Sequence, residues 1–325
     1  MAADAPDKLG ESADPEDPDP APDADAPHPA FEGYAAESVP QAAVGAPGKD
    51  GRLELRFERV EDGTALVHDY ATVPFHVSGT LASDPHPDAA TVYLQSPTGG
   101  IAQGDRQDVD IAAAPEAIAH VTTQSSTKVQ SMDRNYADAD LRLSVETGAH
   151  LEYIPEPTIL HADARYHQDL RIDLAAGATA VLGDVVVPGR LAHGERFEFE
   201  RYLSRVHAGG PDGPLFEDAT HLAPGDSDPV EPTDPGVLGE FSVYGSLYVV
   251  APKADMATMS DRLHAATTEA GEEARAGASE LPNGSGVAVR ALGDRAETVQ
   301  TSLHAAWDAA RRDLIGAPAA SGRKY

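Results

Sequence analysis

The alternation of apolar and polar positions is the most informative feature of this chain. Leu53-Glu54-Leu55-Arg56-Phe57 and Thr64-Ala65-Leu66-Val67-His68 both alternate with period two, as strands with one buried face do. Asp62-Gly63 between them is a hairpin signal. The same texture returns over residues 74–81, 91–94, 107–111, 139–145, 167–174, 241–250 and 287–290, with Asp84-Pro85-His86-Pro87 marking a loop. One unit repeats. Ala114-Pro115-Glu116-Ala117, Glu146-Thr147-Gly148-Ala149 and Ala175-Ala176-Gly177-Ala178 each lead into an apolar run, at spacings of 32 and 29 residues. A turn plus strand recurring at that interval predicts stacked layers, solenoid-like or a meandering sandwich. The expected fold class is mostly β: a layered, solenoid-like sheet body with a small C-terminal two-helix part.

The period changes near the C-terminus. Over about 255–275, Asp255 is a candidate N-cap and Met256, Met259, Leu263 and Ala266 form one stripe. Over about 294–315, Asp294 and Glu297 resemble a capping box, and Ala296, Val299, Leu303, Ala306, Ala310 and Leu314 recur at three and four. Arg311 and Arg312 suit the negative end of that helix, and Gly316 suits its stop. The two stripes are expected to pack on each other and on the sheet. Residues 1–48, with acids scattered among Pro and Ala, are expected to be a disordered tail outside a single domain of residues 49–325. Residues 209–238, rich in Gly, Pro and Asp, are expected to be a long acidic surface loop.

Charge narrows the function. Acids outnumber bases 54 to 24, a formal net charge of -30, which repels nucleic acid and anionic membrane surfaces. Spread along the whole chain, the excess fits adaptation to high salt. The absence of cysteine excludes disulfides, thiolate catalysis, iron–sulfur clusters and thiolate zinc sites. There is no basic-then-apolar leader, and no run reaches the ~18 apolar residues of a membrane span, so a cytoplasmic protein is expected.

The 13 histidines show no HxH or HExxH spacing, and there is no nucleophile elbow, Walker loop or dinucleotide fingerprint. The unusual polar positions lie elsewhere. Ser96-Pro97-Thr98-Gly99-Gly100 runs through Gly104 to Asp105 between two strands. A polar run, 122–128, ends a strand at Thr127-Lys128. Glu156 sits between prolines in an apolar segment, and Arg190, His193 and Glu195 share a Gly-flanked loop. Each acid alone reads as a turn or surface residue. Stacked layers would bring several together along a polar passage.

These same segments resemble, in order and spacing, the urease accessory protein family UreD (also called UreH). They are 96–105, Thr122-Thr123 with Thr127-Lys128, Leu151-Glu152-Tyr153-Ile154-Pro155 with Thr158-Ile159-Leu160, and Gly189-Arg190 with Gly194-Glu195-Arg196-Phe197. The likeness covers roughly residues 53–207 well and the C-terminal helices loosely, and the acidic additions suit a halophilic member. The resemblance implies a non-enzymatic scaffold with a layered β fold. It would bind urease apoprotein subunits and the accessory protein UreF, which recruits the GTPase UreG. It would hold no tight cofactor and would pass Ni²⁺ transiently through an internal tunnel. By motif, Asp105, Thr127 and Glu195 fall at tunnel positions. The family writes Pro-Gln and then an acid, whereas here Glu156 precedes Pro157, one residue displaced, which in a strand reverses the face. Glu156 is carried as the fourth candidate.

A conduit of oxygen ligands without thiolates binds Ni²⁺ weakly enough to release it, and passage requires weak serial sites. Two rivals stand beside this reading. One is a β-solenoid hydrolase or lyase using Asp105, Glu156 and Glu195 as acid and base; the other is an interaction protein with no metal role.

Overall fold

The computed structural model describes residues 26–39, 47–81, 84–225, 231–270 and 273–320. The strands in chain order are β1 Asp50–Val60, β2 Gly63–Ala71, β3 His76–Leu81, β4 Ala89–Gln95, β5 Arg106–Ala113 and β6 Ile118–Thr123. They continue as β7 Thr127–Val129, β8 Ala137–Val145, β9 His150–Tyr153, β10 Thr158–Leu160, β11 Arg165–Leu174 and β12 Thr179–Val187. The last five are β13 Arg201–Gly210, β14 Gly213–Leu222, β15 Val243–Val250, β16 Arg275–Glu280 and β17 Gly286–Gly293. A short α1, Glu32–Ala35, precedes them; α2, Met256–Ala270, lies before β16 and α3, Ala296–Leu314, follows β17.

The repeat seen in the sequence is the coil of a solenoid. The chain alternates between a sheet ordered β14-β13-β11-β8-β5-β1-β2 and a second ordered β16-β17-β15-β12-β9-β6-β4-β3, with the short β7 and β10 attached beside β12. Strands β5, β8, β11 and β13 run parallel in the first sheet, and β4, β6, β9 and β12 run parallel in the second. Ile118 pairs with His150, and His150 with Thr179, so the spacings of 32 and 29 residues are those of hydrogen-bonded neighbours. Each coil turns through the same corner. Glu116, Gly148 and Gly177 all have positive φ there, and the amide of the next residue donates back to the carbonyl of Ala114, Glu146 or Ala175. A left-handed third residue is what a type II turn demands, and two of the three corners use glycine for it.

Inward positions of the two sheets, from Leu53 and Phe57 through Leu143, Ile172 and Tyr202, form one continuous core. A second core joins the outer face of the second sheet to the helices through Val287, Val289, Met259, Leu263, Val299, Leu303 and Trp307. The two helical stripes therefore pack as expected, and the Thr267 hydroxyl donates to the Ser302 carbonyl between them. Asp255 caps α2, accepting from the Thr258 amide.

Four expectations are corrected. Within the acidic tail, residues 26–39 dock on the first sheet. Phe31 is fully buried against Tyr136 and Leu203, Tyr34 donates to Glu200, and Glu37 pairs with Arg165. Two aromatics and a carboxylate with partners outweigh the ordering entropy there; residues 1–25 and 40–46 lie outside the described set. The expected loop from 209 to 238 is in part the hairpin of β13 and β14, whose Pro214 is tolerated because β14 is an edge strand. The expected helix to 275 ends at Ala270, and the small-residue strand β16 follows. Finally, α3 has Arg295 at its N-cap with no side-chain cap bond, and Arg311 is not a surface residue matching the dipole.

Arg311 instead sits in a buried ionic cluster that fastens α3 to the sheet. Its guanidinium bonds Asp84 at 2.8 and 2.9 Å, Glu152 at 2.9 Å and the Pro318 carbonyl at 2.7 Å. Glu152 also accepts from Trp307 Nε1 at 2.8 Å and faces His120 at 3.1 Å and His150 at 3.2 Å. Burial alone would raise the Glu152 carboxyl, but the two imidazoles hold it far below the usual carboxylate range. Such a cluster survives burial because every charge in it is paired.

Close approach of α3 needs a bare backbone opposite it. A Cβ on Gly245 of β15 would lie 2.6 Å from Val299 and 2.7 Å from Leu303. Gly245→Ala is therefore expected to push α3 outward and cost about 1–3 kcal/mol, read as a lower melting temperature with unchanged far-ultraviolet circular dichroism.

A candidate passage between the sheets and beneath the C-terminal helix

Where the hydrocarbon core gives way, polar side chains line two cavities. The first, about 440 Å³, lies between the sheets. Gln107, Tyr166, Gln168 and Ser204 come from the first sheet, Asp184, Ser246 and Tyr248 from the second, and Asp218 and Thr220 from β14. Its far wall is the polar run Ser125-Ser126-Thr127-Lys128 with Ser96, Gly99 and Gly100. The second, about 260 Å³, lies between the second sheet and α3, lined by His120, Thr122, Gln124, Glu156, Gln300, His304 and Trp307 among others. Thr123, Pro155, Gly183 and Asp184 line both.

Asp184 is thus the carboxylate at the common wall. It is enclosed by protein on every side but keeps surface towards the cavities. Burial raises its pKa above the usual aspartate value, partly offset by the hydroxyl of Tyr202, which donates at 3.0 Å. Opposite, Asp218 accepts from Tyr248 at 2.7 Å and pairs with Arg290. Burial first, and then neighbouring Tyr244 and Asp218, push the Tyr248 phenol up, so it remains a neutral donor.

The four candidate residues divide. Thr127 lines the first cavity and Glu156 the second, where its Oε2 accepts from Gln300 at 3.1 Å. The residue count around Pro155 and Pro157 thus turns Glu156 to the helix side of the sheet. Asp105 and Glu195 line neither cavity. Asp105 is 1% exposed, with one oxygen accepting from the Lys49 amide and the other from the Ala102 amide, both at 2.9 Å. Glu195 accepts from the Ala162 amide at 2.9 Å and from Arg190 at 2.6 Å. Burial would raise its pKa, but Arg190 and that amide leave it below the ordinary value. Both acids are knots tying a loop to the next coil. The glycines beside them have the same purpose: a Cβ on Gly100 would lie 2.3 Å from the Lys128 carbonyl oxygen, and one on Gly189 2.3 Å from that of Glu195.

Asp105, Glu156 and Glu195 therefore share no cavity, and the arrangement the hydrolase reading requires is not formed. Among the described residues no group of three or more His, Asp or Glu side chains is placed to hold a metal ion. What the geometry offers is a set of separated oxygen-bearing side chains lining two cavities with common wall residues. Sequence reasoning missed Asp184, Asp218 and Glu152. Gly183-Asp184 interrupting an apolar run was the available signal for the first, and the place of Glu152 in the Leu151-Glu152-Tyr153-Ile154-Pro155 motif for the last; Asp218 gave none.

The family model described as "UreD urease accessory protein" matches residues 49–324. The chain is 72% identical over 302 residues to the urease accessory protein UreD of Haloarcula marismortui, covering 93% of this chain and 99% of that protein. It is 46% identical over 297 residues to that of Natronomonas pharaonis, covering 91% and 98%. A more distant relative, urease accessory protein UreD 2 of Streptomyces griseus, is 35% identical over 290 residues, covering 88% and 98%. With a family model spanning the whole β body and both helices, and relatives aligned nearly end to end, the chain belongs to the UreD family of urease accessory proteins.

Proposed function

We propose that this chain is a non-enzymatic scaffold of urease maturation that passes Ni²⁺ through the two adjoining cavities. In this reading it works in the cytoplasm, bridging urease apoprotein to UreF and, through it, to UreG. The observation that carries the reading is the carboxylate of Asp184 at the wall common to both cavities. An ion crossing a dry core would lose its hydration at a cost of tens of kcal/mol. A wet path with a carboxylate at its narrow point lowers that barrier without holding the ion, since oxygen ligands bind Ni²⁺ less firmly than imidazole or thiolate would. Thr127 and Glu156 line the path, and Asp105 and Glu195 support the loops at its end. The relatives' description as accessory proteins supports a non-catalytic role.

Asp184→Asn separates the ion's needs from the fold's. A buried carboxyl whose folded pKa is raised stabilises the protein fully only below the unfolded value of 3.8, and that contribution is lost as pH rises through the folded pKa. The amide keeps the Tyr202 bond and escapes the loss. At pH 7.5 the variant is expected to melt no lower than wild type while urease activation and nickel content fall several-fold in a co-expressing host. Normal activation by a folded variant would sink the passage.

Asp105→Ala and Glu195→Ala are expected to behave differently. Asp105→Ala leaves two part-buried amides without an acceptor and Glu195→Ala leaves one, and each should cost about 1–3 kcal/mol, so activation should fall in step with the melting temperature. A loss of nickel transfer at unchanged stability would move these two acids onto the path itself.

A further inference from the structure

The first cavity meets the surface beside strand β14. Asp218 lines the cavity and also pairs with Arg290 of β17, whose side chain is 47% exposed, so at this point an ion pair separates enclosed space from solvent. The groups around it come from opposite sheets. Asp218 and Thr220 belong to the edge strand of the first sheet, and Tyr244, Tyr248 and Arg290 to the second. Tyr248 donates to Asp218 at 2.7 Å, and the Tyr244 hydroxyl accepts from Thr220 at 3.4 Å and from Arg290 at 3.3 Å. Apolar contacts lie alongside. Phe216 of β14 stacks on Tyr248 at 5.7 Å, and Phe216 and Leu222 are both buried. Hydrocarbon therefore fixes the strands, while polar side chains span the gap between them.

That separation decides how the gap can open. A mouth closed by apolar groups would expose their surface to water at every opening. An ion pair this exposed contributes little to stability, because water takes the place of each partner when they part. An exposed arginine also changes rotamer quickly and needs no movement of the backbone. We propose that Asp218, Tyr248 and Arg290 form a side-chain gate at the β14 edge of the first cavity, latched by the guanidinium. With Arg290 seated, its cation fills the mouth. With Arg290 swung into solvent, the Asp218 carboxylate is left at the rim and admits small cationic solutes ahead of anionic ones. The gate follows from the geometry of this cavity alone and operates whether or not Ni²⁺ uses the space.

The chain has no cysteine, so one introduced thiol reports on one place. Ser204 is buried, lines the first cavity and lies opposite Thr220 in the pairing of β13 with β14. In the full-length protein at high KCl, Ser204→Cys is expected to react with a small neutral methanethiosulfonate at least about tenfold more slowly than Ser78→Cys on the exposed face of β3. Adding Arg290→Gln should raise the Ser204→Cys rate by up to about fivefold, the worth of an exposed ion pair, and further for a cationic reagent than for an anionic one. Ser302→Cys is the control for general loosening: it is buried where α3 meets α2, lines neither cavity and should react at one rate with or without Arg290→Gln. Tyr248→Phe keeps the ring on Phe216 and loses the bond to Asp218, so it tests the gate, with the same rise expected, if Arg290→Gln fails to fold. An unchanged Ser204→Cys rate in the folded variant, an equal rise at Ser302→Cys, or a rise no greater for the cation than for the anion overturns the gate. Asp184→Asn leaves every gate residue in place, so lost nickel transfer with normal gating, and the reverse, are told apart.

Discussion

In-register stacking of parallel coils is the constraint from which the rest of this molecule follows. Because residue 118 lies beside 150 and 150 beside 179, a side chain's position along one coil decides its neighbour in the next. The left-handed corner residues 116, 148 and 177 keep that register; a slip of one would turn each core position outward. The same register gathers the irregular parts of successive coils at one end, where Thr127, Pro155 and Thr158 border the first cavity. Regular corners at one side and long polar arcs at the other give a body rigid enough to hold a cavity open between its sheets.

Helix α3 makes the second chamber, and it is fastened by charge as much as by its apolar stripe. Arg311 reaches Asp84, which precedes β4, and Glu152 on β9, so one side chain joins the C-terminal element to two coils with that of β6 between them. Glu152 in turn orients His120 and meets the indole of Trp307. Burying these ions in a chain with so large an acid excess gives specificity of placement: an unpaired partner would be strongly disfavoured. In concentrated salt, where surface attraction is screened within a few ångströms, such enclosed pairs keep their strength.

Period-two alternation and the repeated corner showed the layered β body in the sequence, and the helical stripes showed the C-terminal pair. Strand β14 was hidden because Gly213, Pro214 and Asp218 look like loop composition, and an edge strand tolerates all three. Strand β16 was hidden because Ala276, Gly277 and Ala278 bury little and alternate weakly. The motifs led to the end of the fold where the cavities lie, although two of their carboxylates, Asp105 and Glu195, line neither cavity. Asp105 and Glu195 stand out because their loops carry glycines, and two of these, Gly100 and Gly189, serve close backbone crossings. Asp184 lines both cavities from the middle of an apolar strand, and only pairing across the coils reveals what it faces.

The docked segment of residues 26–39 sets the boundary of the folding unit apart from that of the family model. The family model begins at residue 49, yet Phe31 fills a pocket formed by Tyr136 and Leu203, with the His167 ring 5.6 Å away. A chain begun at the family boundary would leave that pocket and the paired Arg165 open to solvent on an otherwise charged sheet face. The folded unit thus starts before the residue at which the family model does, and residues 26–39 are part of the globule they precede.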